Sequence, residues 1–210
     1  MSVDLARGGQ PRDSEGGNHA VCAGLFAGGV GVQDDFLSQV RIRALIECAH
    51  RRLVRGDFSA ARVGADQRLQ LREEIRGDHT CWLTAPLFTE ERALLSDLEQ
   101  LRLEFNARGF LGLFDLELHY ARYPPGAGYA RHVDQLQGRD QRRVSFVLYL
   151  NDAWQPGDGG ELRIFCLEGV RDFEPIAGRL VCFLTAGREH AVLPTRQARL
   201  SITGWFRRRN

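Results

Sequence analysis

Apolar residues recur near a 3.6-residue period at Leu37, Val40, Ile42, Leu45, Ile46 and Leu53, which predicts an amphipathic helix over about 36–54 with Asp35 placed to cap it. The same period returns at Leu94, Leu95, Leu98, Leu101 and Phe105 and predicts a second helix over about 88–107. After Phe110 the rhythm changes. Short β-prone runs separated by Gly, Pro and Asp predict strands at 113–123, 129–133, 143–150, 161–166, 180–184, 189–193 and 198–207. Ahead of the first long helix a short helix and a strand near 30–33 are expected. Residues 1 to about 18 are rich in Gly, Asp and Arg and read as a disordered extension. The segment 55–74 is charged and weakly periodic and reads as an exposed loop. Helices followed by many short strands imply a mainly β domain over 19–210, a double-sheet jelly-roll barrel braced by N-terminal helices on one face.

Composition narrows the setting. At 210 residues the chain suits one domain with an extension, and a formal net charge of +1 gives no field that would direct it to nucleic acid or a membrane. It contains no lysine, a bias that GC-rich coding explains without a functional cause. Cys22, Cys48, Cys81, Cys166 and Cys182 are scattered and never form a C-x-x-C pair, which argues against a disulfide framework and against a zinc site. The apolar run at 20–32 lacks a basic start, and no segment approaches the roughly 20 apolar residues of a membrane span. These features predict a cytoplasmic protein with reduced thiols, expected to be a monomer.

The candidate chemistry centres on Tyr-Ala-Arg-His-Val-Asp at 129–134. On a strand, His132 and Asp134 share one face while Val133 turns to the other layer. A further histidine, His190, from a neighbouring strand would complete two imidazoles and one carboxylate on one side of a metal, the set that non-haem Fe(II) oxygenases use. Nine positions beyond His190, Arg199 opens the alternating run Arg-Leu-Ser-Ile-Thr-Gly-Trp-Phe. A buried arginine there would bind the far carboxylate of a dicarboxylic acid through paired hydrogen bonds.

These residues, with Val-Gln-Asp-Asp-Phe-Leu (32–37), Ile-Arg-Gly-Asp-His-Thr-Cys-Trp (75–82), Tyr-Pro-Pro-Gly-Ala-Gly-Tyr (123–129), Leu-Tyr-Leu-Asn (148–151) and Gly-Gly-Glu-Leu-Arg-Ile-Phe (159–165), carry a family resemblance from about Gly31 to Phe206. The chain resembles the 2-oxoglutarate and Fe(II)-dependent dioxygenases, and within them the prolyl hydroxylases that act on hypoxia-inducible factor and their bacterial relatives. The resemblance implies a double-stranded β-helix fold and the coupled conversion of 2-oxoglutarate and O2 to succinate and CO2. The oxygen atom goes to C4 of a prolyl residue in an exposed or extended protein segment, and ascorbate supports turnover. It implies His132, Asp134 and His190 as iron ligands. Arg199, Tyr149, Tyr123, Leu162 and Thr203 then surround 2-oxoglutarate, and Arg76, Trp82, Tyr129, Arg142 and Trp205 surround the target proline. Elongation factor Tu is the partner that the bacterial relatives suggest. The segment 55–74 falls where such enzymes carry a loop that closes over the peptide.

Alternatives stand beside several of these roles. Tyr149, Trp82 and Trp205 also fit ordinary core packing, and Arg76 also fits a structural pair with Asp78. His19, His50, His79 and His119 match no ligand position and read as ordinary surface or hydrogen-bonded residues. The stretches 135–141 and 166–179 depart from the family pattern, so the peptide's identity does not carry over. The rival functions are a hydroxylase of a free amino acid or other small molecule, and a catalytically silent module that senses 2-oxoglutarate.

Overall fold

A computed structural model describes residues 18–62, 70, 72, 74–135 and 141–209. The extension expected over 1–18 falls almost wholly outside them, as do residues 63–69, 71 and 73 of the predicted loop. Three helices, α1 (Asn18–Gly28), α2 (Gln39–Val54) and α3 (Thr89–Gly109), pack on one side of two antiparallel sheets. The seven-stranded sheet runs in the order β1 (Val30–Gln33), β9 (Leu180–Leu184), β6 (Arg142–Tyr149), β11 (Arg199–Arg208), β4 (Leu113–Tyr123), β3 (His79–Trp82), β2 (Ser59–Ala60). The four-stranded sheet runs β5 (Tyr129–His132), β10 (His190–Val192), β7 (Leu162–Cys166), β8 (Gly169–Phe173). This is the expected jelly-roll arrangement. Among the described residues no helix is long and apolar enough to cross a membrane.

Side-chain alternation on the central strands divides the domain into two cores. Val144, Phe146 and Leu148 of β6, Ile202 and Phe206 of β11, and Leu118 and Tyr120 of β4 turn outward onto the helices. There they meet Ile42 and Leu45 of α2 and Leu94, Leu98, Leu101 and Phe105 of α3. The rings of Phe105 and Phe146 lie 5.6 and 5.2 Å from that of Phe206, which is fully buried. Between the sheets a smaller core forms from Val30, Val147, Tyr149, Val181 and Phe183 against Leu162, Ile164 and Phe173.

Three local expectations need correction. Asp35 does not cap α2. It adopts a left-handed φ of 54°, in a turn held to the 178–179 segment by Phe36 N–H donating to the Gly178 carbonyl and by the Arg179–Asp34 ion pair, so the helix begins only after Ser38. β8 is an unpredicted strand. Its first four residues are exposed, and Arg163 on β7 pairs across to Asp172, so it shows no apolar alternation. β2, two residues long, and β3, whose His79, Thr80, Cys81 and Trp82 show no apolar alternation, were not predicted either.

Candidate active site

Inward-facing residues of the large sheet form rows across the strands. Tyr123 pairs with Arg199. The next row is Thr80, Ala121, Ser201 and Tyr149, and then come Trp82, His119, Thr203, Val147 and Val181. Glu117, Trp205, Ser145 and Phe183 form the last. Opposite this wall the small sheet sets His132, at the end of β5, across from its register partner His190, at the start of β10. A cavity of about 710 Å³ lies between them.

His132, Asp134 and His190 each bring one ligand atom to within 4.8 Å of the others. Asp134 follows two residues after β5 ends and turns to the same side as His132, while Val133 is partly exposed. His132 Nδ1 lies 2.8 Å from the Ala130 carbonyl and His190 Nδ1 lies 3.1 Å from the Arg188 carbonyl. A carbonyl only accepts, so each Nδ1 carries the proton and each Nε2 presents its lone pair, the tautomer a metal needs. Burial, with the charge of His190, pushes His132 down to about 4 against the pull of Asp134. Burial raises the Asp134 carboxyl, but the charges of His190 and His132 and the Trp205 hydrogen bond outweigh it and hold the group well below the usual carboxylate range. Burial lowers His190, and Asp134 outweighs that and raises it. A divalent cation held here would take the place of the proton that Asp134 favours on His190.

At the other end Arg199 is 1% exposed. Its Nε donates to the Gly160 carbonyl at 2.8 Å and an Nη to Ser201 Oγ at 3.2 Å, and the Tyr123 and Tyr149 rings lie 5.0 and 5.1 Å from the guanidinium carbon. Gly160 makes this approach possible: its φ is 68°, and a Cβ there would meet Arg199 Cδ at 3.0 Å and Thr195 at 3.2 Å. Among the described residues no carboxylate pairs with Arg199, and the buried Tyr149 hydroxyl has no hydrogen-bond partner. Burial, only partly offset by Arg199, raises that phenol to about 12, so it remains a donor. A buried cation and a buried phenol without an anion between them leave room for a carboxylate. With an open His-Asp-His set across the cavity, these donors fit Fe(II) and a dicarboxylic keto acid. Leu162 and Thr203 also line the cavity.

The five residues predicted around the substrate all line the cavity, in different states. Trp82 is 46% exposed at the rim. Tyr129 lies flat on His132 with 3.5 Å between ring centroids, and the Arg76 guanidinium carbon sits 4.8 Å from its ring centre. Arg76 also forms the pair with Asp78, at 2.7 and 3.1 Å, so the structural interaction is made. Arg142 is held by Glu117 at 2.8 Å and lies 3.6 Å from the Trp205 ring centre. Trp205 is 5% exposed, and its indole N–H donates to Asp134 Oδ2 at 2.8 Å, so it also fixes a predicted ligand.

His119 departs from the reading that set it aside. It lines the cavity, stacks on Trp205 (5.6 Å), meets Trp82 at a tilt (4.8 Å), and its Nδ1 is buried without a partner. Burial pushes it down to about 3, so it is neutral. The signal was present: His119 stands four residues before Tyr123 on one strand and therefore shares its face. Ser145 stands likewise four before Tyr149. It was missed as well, and its hydroxyl donates to Asp134 Oδ2 at 2.7 Å.

Residues 118–207 match the model of the 2OG-Fe(II) oxygenase superfamily. The fold superposes on a Pseudomonas putida prolyl-4-hydroxylase with a TM-score of 0.84 and 44% identity, covering 92% of this chain and all of that one. A Trichoplax adhaerens prolyl hydroxylase in complex with a hypoxia-inducible-factor peptide matches at a TM-score of 0.82 and 27% identity, over 90% of this chain and 88% of that one. Human Egl nine homolog 1 is 33% identical over 190 residues, 85% of this chain and 43% of its own length. Mouse prolyl hydroxylase EGLN3 is 35% identical over 166 residues, 72% and 64% respectively. The chain thus spans about half to two thirds of these curated relatives. The chain belongs to the 2OG-Fe(II) oxygenase superfamily.

Proposed function

We propose that this protein is a 2-oxoglutarate- and Fe(II)-dependent dioxygenase that hydroxylates C4 of a prolyl residue in a protein, releasing succinate and CO2. The observation that carries the reading is the meeting, in one cavity, of an open His-Asp-His set with a buried arginine and a phenol that lack an anion. Iron with 2-oxoglutarate and O2 supplies the oxidising chemistry. The chain's own residues bind, orient and exclude water. His132, Asp134 and His190 hold the metal. Arg199 and the Tyr149 hydroxyl hold the far carboxylate, with Thr203 beside it, Tyr123 flanking the guanidinium and Leu162 as apolar wall. Because these groups stand on two sheets that face each other, strand register sets the distance between metal and carboxylate anchor, and no mobile loop is needed to create it.

The rim suits a proline. Trp82 and Tyr129 offer aromatic surface to a rigid, apolar ring, and Arg76 and Arg142 offer N–H donors near the peptide carbonyls while their own carboxylate partners hold them in place. The Trichoplax prolyl hydroxylase likewise holds a peptide, a fragment of the hypoxia-inducible-factor oxygen degradation domain. Ascorbate is the supporting reductant. The five free cysteines suit a reducing compartment, and we place the protein in the cytoplasm as a monomer.

The test is mass spectrometry of a cell lysate incubated with enzyme, Fe(II), 2-oxoglutarate and ascorbate. The expected outcome is the mass of one added oxygen on proline in a small number of proteins, with elongation factor Tu the first to inspect. Succinate release stimulated by free amino acids, with no modified protein, would establish the small-molecule reading instead. No succinate under any condition, with 2-oxoglutarate still bound, would establish the silent sensor.

A further inference from the structure

Asp134 is held from behind by one hydroxyl, which is itself held by a second. Ser145 Oγ lies 2.7 Å from Asp134 Oδ2 and 3.0 Å from Thr185 Oγ1. Ser145 is 1% exposed and Thr185 is fully buried. The direction of these bonds follows from proton counting. An ionised carboxylate only accepts, so the single Ser145 hydrogen points to Asp134. Ser145 then has only a lone pair for Thr185, so the Thr185 hydroxyl must be the donor in that pair. The result is a one-way relay, Thr185 to Ser145 to Asp134. The Trp205 indole N–H reaches the same carboxylate oxygen at 2.8 Å from the side.

Two donors, Ser145 and Trp205, reach Oδ2, which also lies 3.5 Å from His190 Nε2, while Oδ1 stands 3.7 Å from His132 Nε2. A carboxylate free to rotate could bind a metal through both oxygens and take up a position that the keto acid and O2 require. We propose that Thr185 and Ser145 are positioning residues that, with Trp205, fix Asp134 as a one-oxygen ligand through Oδ1 and keep the opposite coordination positions open. The inference rests on the metal site of the proposed function. Two hydroxyls, one on the cavity wall and one behind it, set the ligand's geometry.

The relay comes from three separate places in the fold. Ser145 is on β6 in the row of Trp205 and Phe183, and Thr185 lies one residue past the end of β9, its own N–H donating to the Arg143 carbonyl. Backbone pairing therefore fixes both hydroxyls before any metal enters, which is the kind of preorganisation that outer partners of metal ligands provide.

The experiment measures Mn(II) binding to the full chain, by the loss of the free-ion electron paramagnetic resonance signal, in wild type, Ser145→Ala, Ser145→Thr and Thr185→Val. Removing an outer partner typically weakens metal binding about 10–100-fold, and that range is expected for Ser145→Ala. Ser145→Thr keeps the hydroxyl and should bind within about 3-fold of wild type. Thr185→Val keeps the shape and removes only the donor, so a loss of about 5-fold is expected, the scale of one hydrogen bond. The bound-Mn(II) spectrum of Ser145→Ala should also change, because a rotated carboxylate alters the symmetry at the metal. Wild-type affinity and spectrum in Ser145→Ala would overturn the proposal, and so would an equal loss in Ser145→Ala and Ser145→Thr. If Ser145→Ala fails to fold, Thr185→Val decides alone, and wild-type affinity there overturns the relay. A wild type that takes up no Mn(II) would overturn the metal-site reading itself, a different failure from a wild type that binds and variants that bind equally well.

Discussion

On β6, Val144, Phe146 and Leu148 turn toward the helices while Ser145, Val147 and Tyr149 turn toward the cavity, and β4 and β11 divide in the same way. Both faces are dry. The outer one is mainly apolar, with rings and branched chains in close contact, and the charges it buries, Arg52 and Glu91, satisfy each other at 2.7 Å. The inner one buries Arg199, His119, Ser145 and Ser201 at 1% exposure or less. Burying such groups is unfavourable unless each finds a partner. The domain therefore gains most of its stability on one side of a sheet and places unfavourable groups on the other, where the proposed metal and anion would complete them. Changes on the outer face should alter stability, and changes on the inner face should alter binding.

The largest effect tests the inner face. His132→Ala, Asp134→Ala or His190→Ala should each abolish 2-oxoglutarate turnover, because the described residues offer no spare ligand within reach of the three. Circular dichroism should show the fold intact, since these side chains line a cavity and support no helix. Succinate release near the wild-type rate from any of them would remove that residue from the metal site. The outer face should behave in the opposite way. Phe206→Ala should cost about 3–5 kcal/mol, the usual loss for a buried phenylalanine. The melting temperature should fall by roughly 10 °C, while the 2-oxoglutarate affinity of the folded fraction should stay the same. A Phe206→Ala protein with normal stability and weakened cosubstrate would mean that the two faces are not separable.

Arg199→Ala comes next. Truncating one partner of a buried charge pair costs about 2–5 kcal/mol, so the 2-oxoglutarate constant should rise by roughly 30-fold or more. Titration of the Mn(II)-loaded protein checks this, and equal affinity in variant and wild type would take Arg199 out of the site. The comparison sharpens here, because ligand-free Arg199→Ala should be no less stable than wild type. It removes a buried cation that no carboxylate among the described residues neutralises.

How far the sequence foretells this arrangement depends on which face is being read. Apolar periodicity announced α2, α3 and the long strands β4, β6 and β11, because the outer face repeats at fixed intervals. It did not announce β8, whose exposed Arg171 and Asp172 break alternation, or the two-residue β2. Inner-face residues become visible only through parity with a recognised neighbour. Tyr149 and Tyr123 were legible by motif, and each marks the face on which Ser145 and His119 also lie. A reading that weighs each histidine alone sets His119 aside. Thr185 was not legible at all: it lies past the end of its strand, and its role depends on a cross-strand neighbour forty positions away.

The smallest predicted effect has the sharpest sign. Tyr149→Phe removes one oxygen and leaves the ring in the inter-sheet core. In the ligand-free protein that hydroxyl is buried and unpartnered, so its removal relieves a desolvated polar group and should leave stability unchanged or raise it by about 1 kcal/mol. In the complex the same hydroxyl donates to the far carboxylate, so its removal should weaken 2-oxoglutarate by about 1 kcal/mol, or roughly fivefold. Ordinary core packing for Tyr149 predicts the first change but not the second, so the affinity decides between the two roles. A thermal melt without ligand and a titration with Mn(II) and 2-oxoglutarate measure the two halves. A variant that melts at or above the wild-type temperature and binds the keto acid less tightly would show one atom acting against the empty fold and for the loaded site. Unchanged 2-oxoglutarate affinity would return Tyr149 to the core and leave Arg199 to anchor the carboxylate without the phenol.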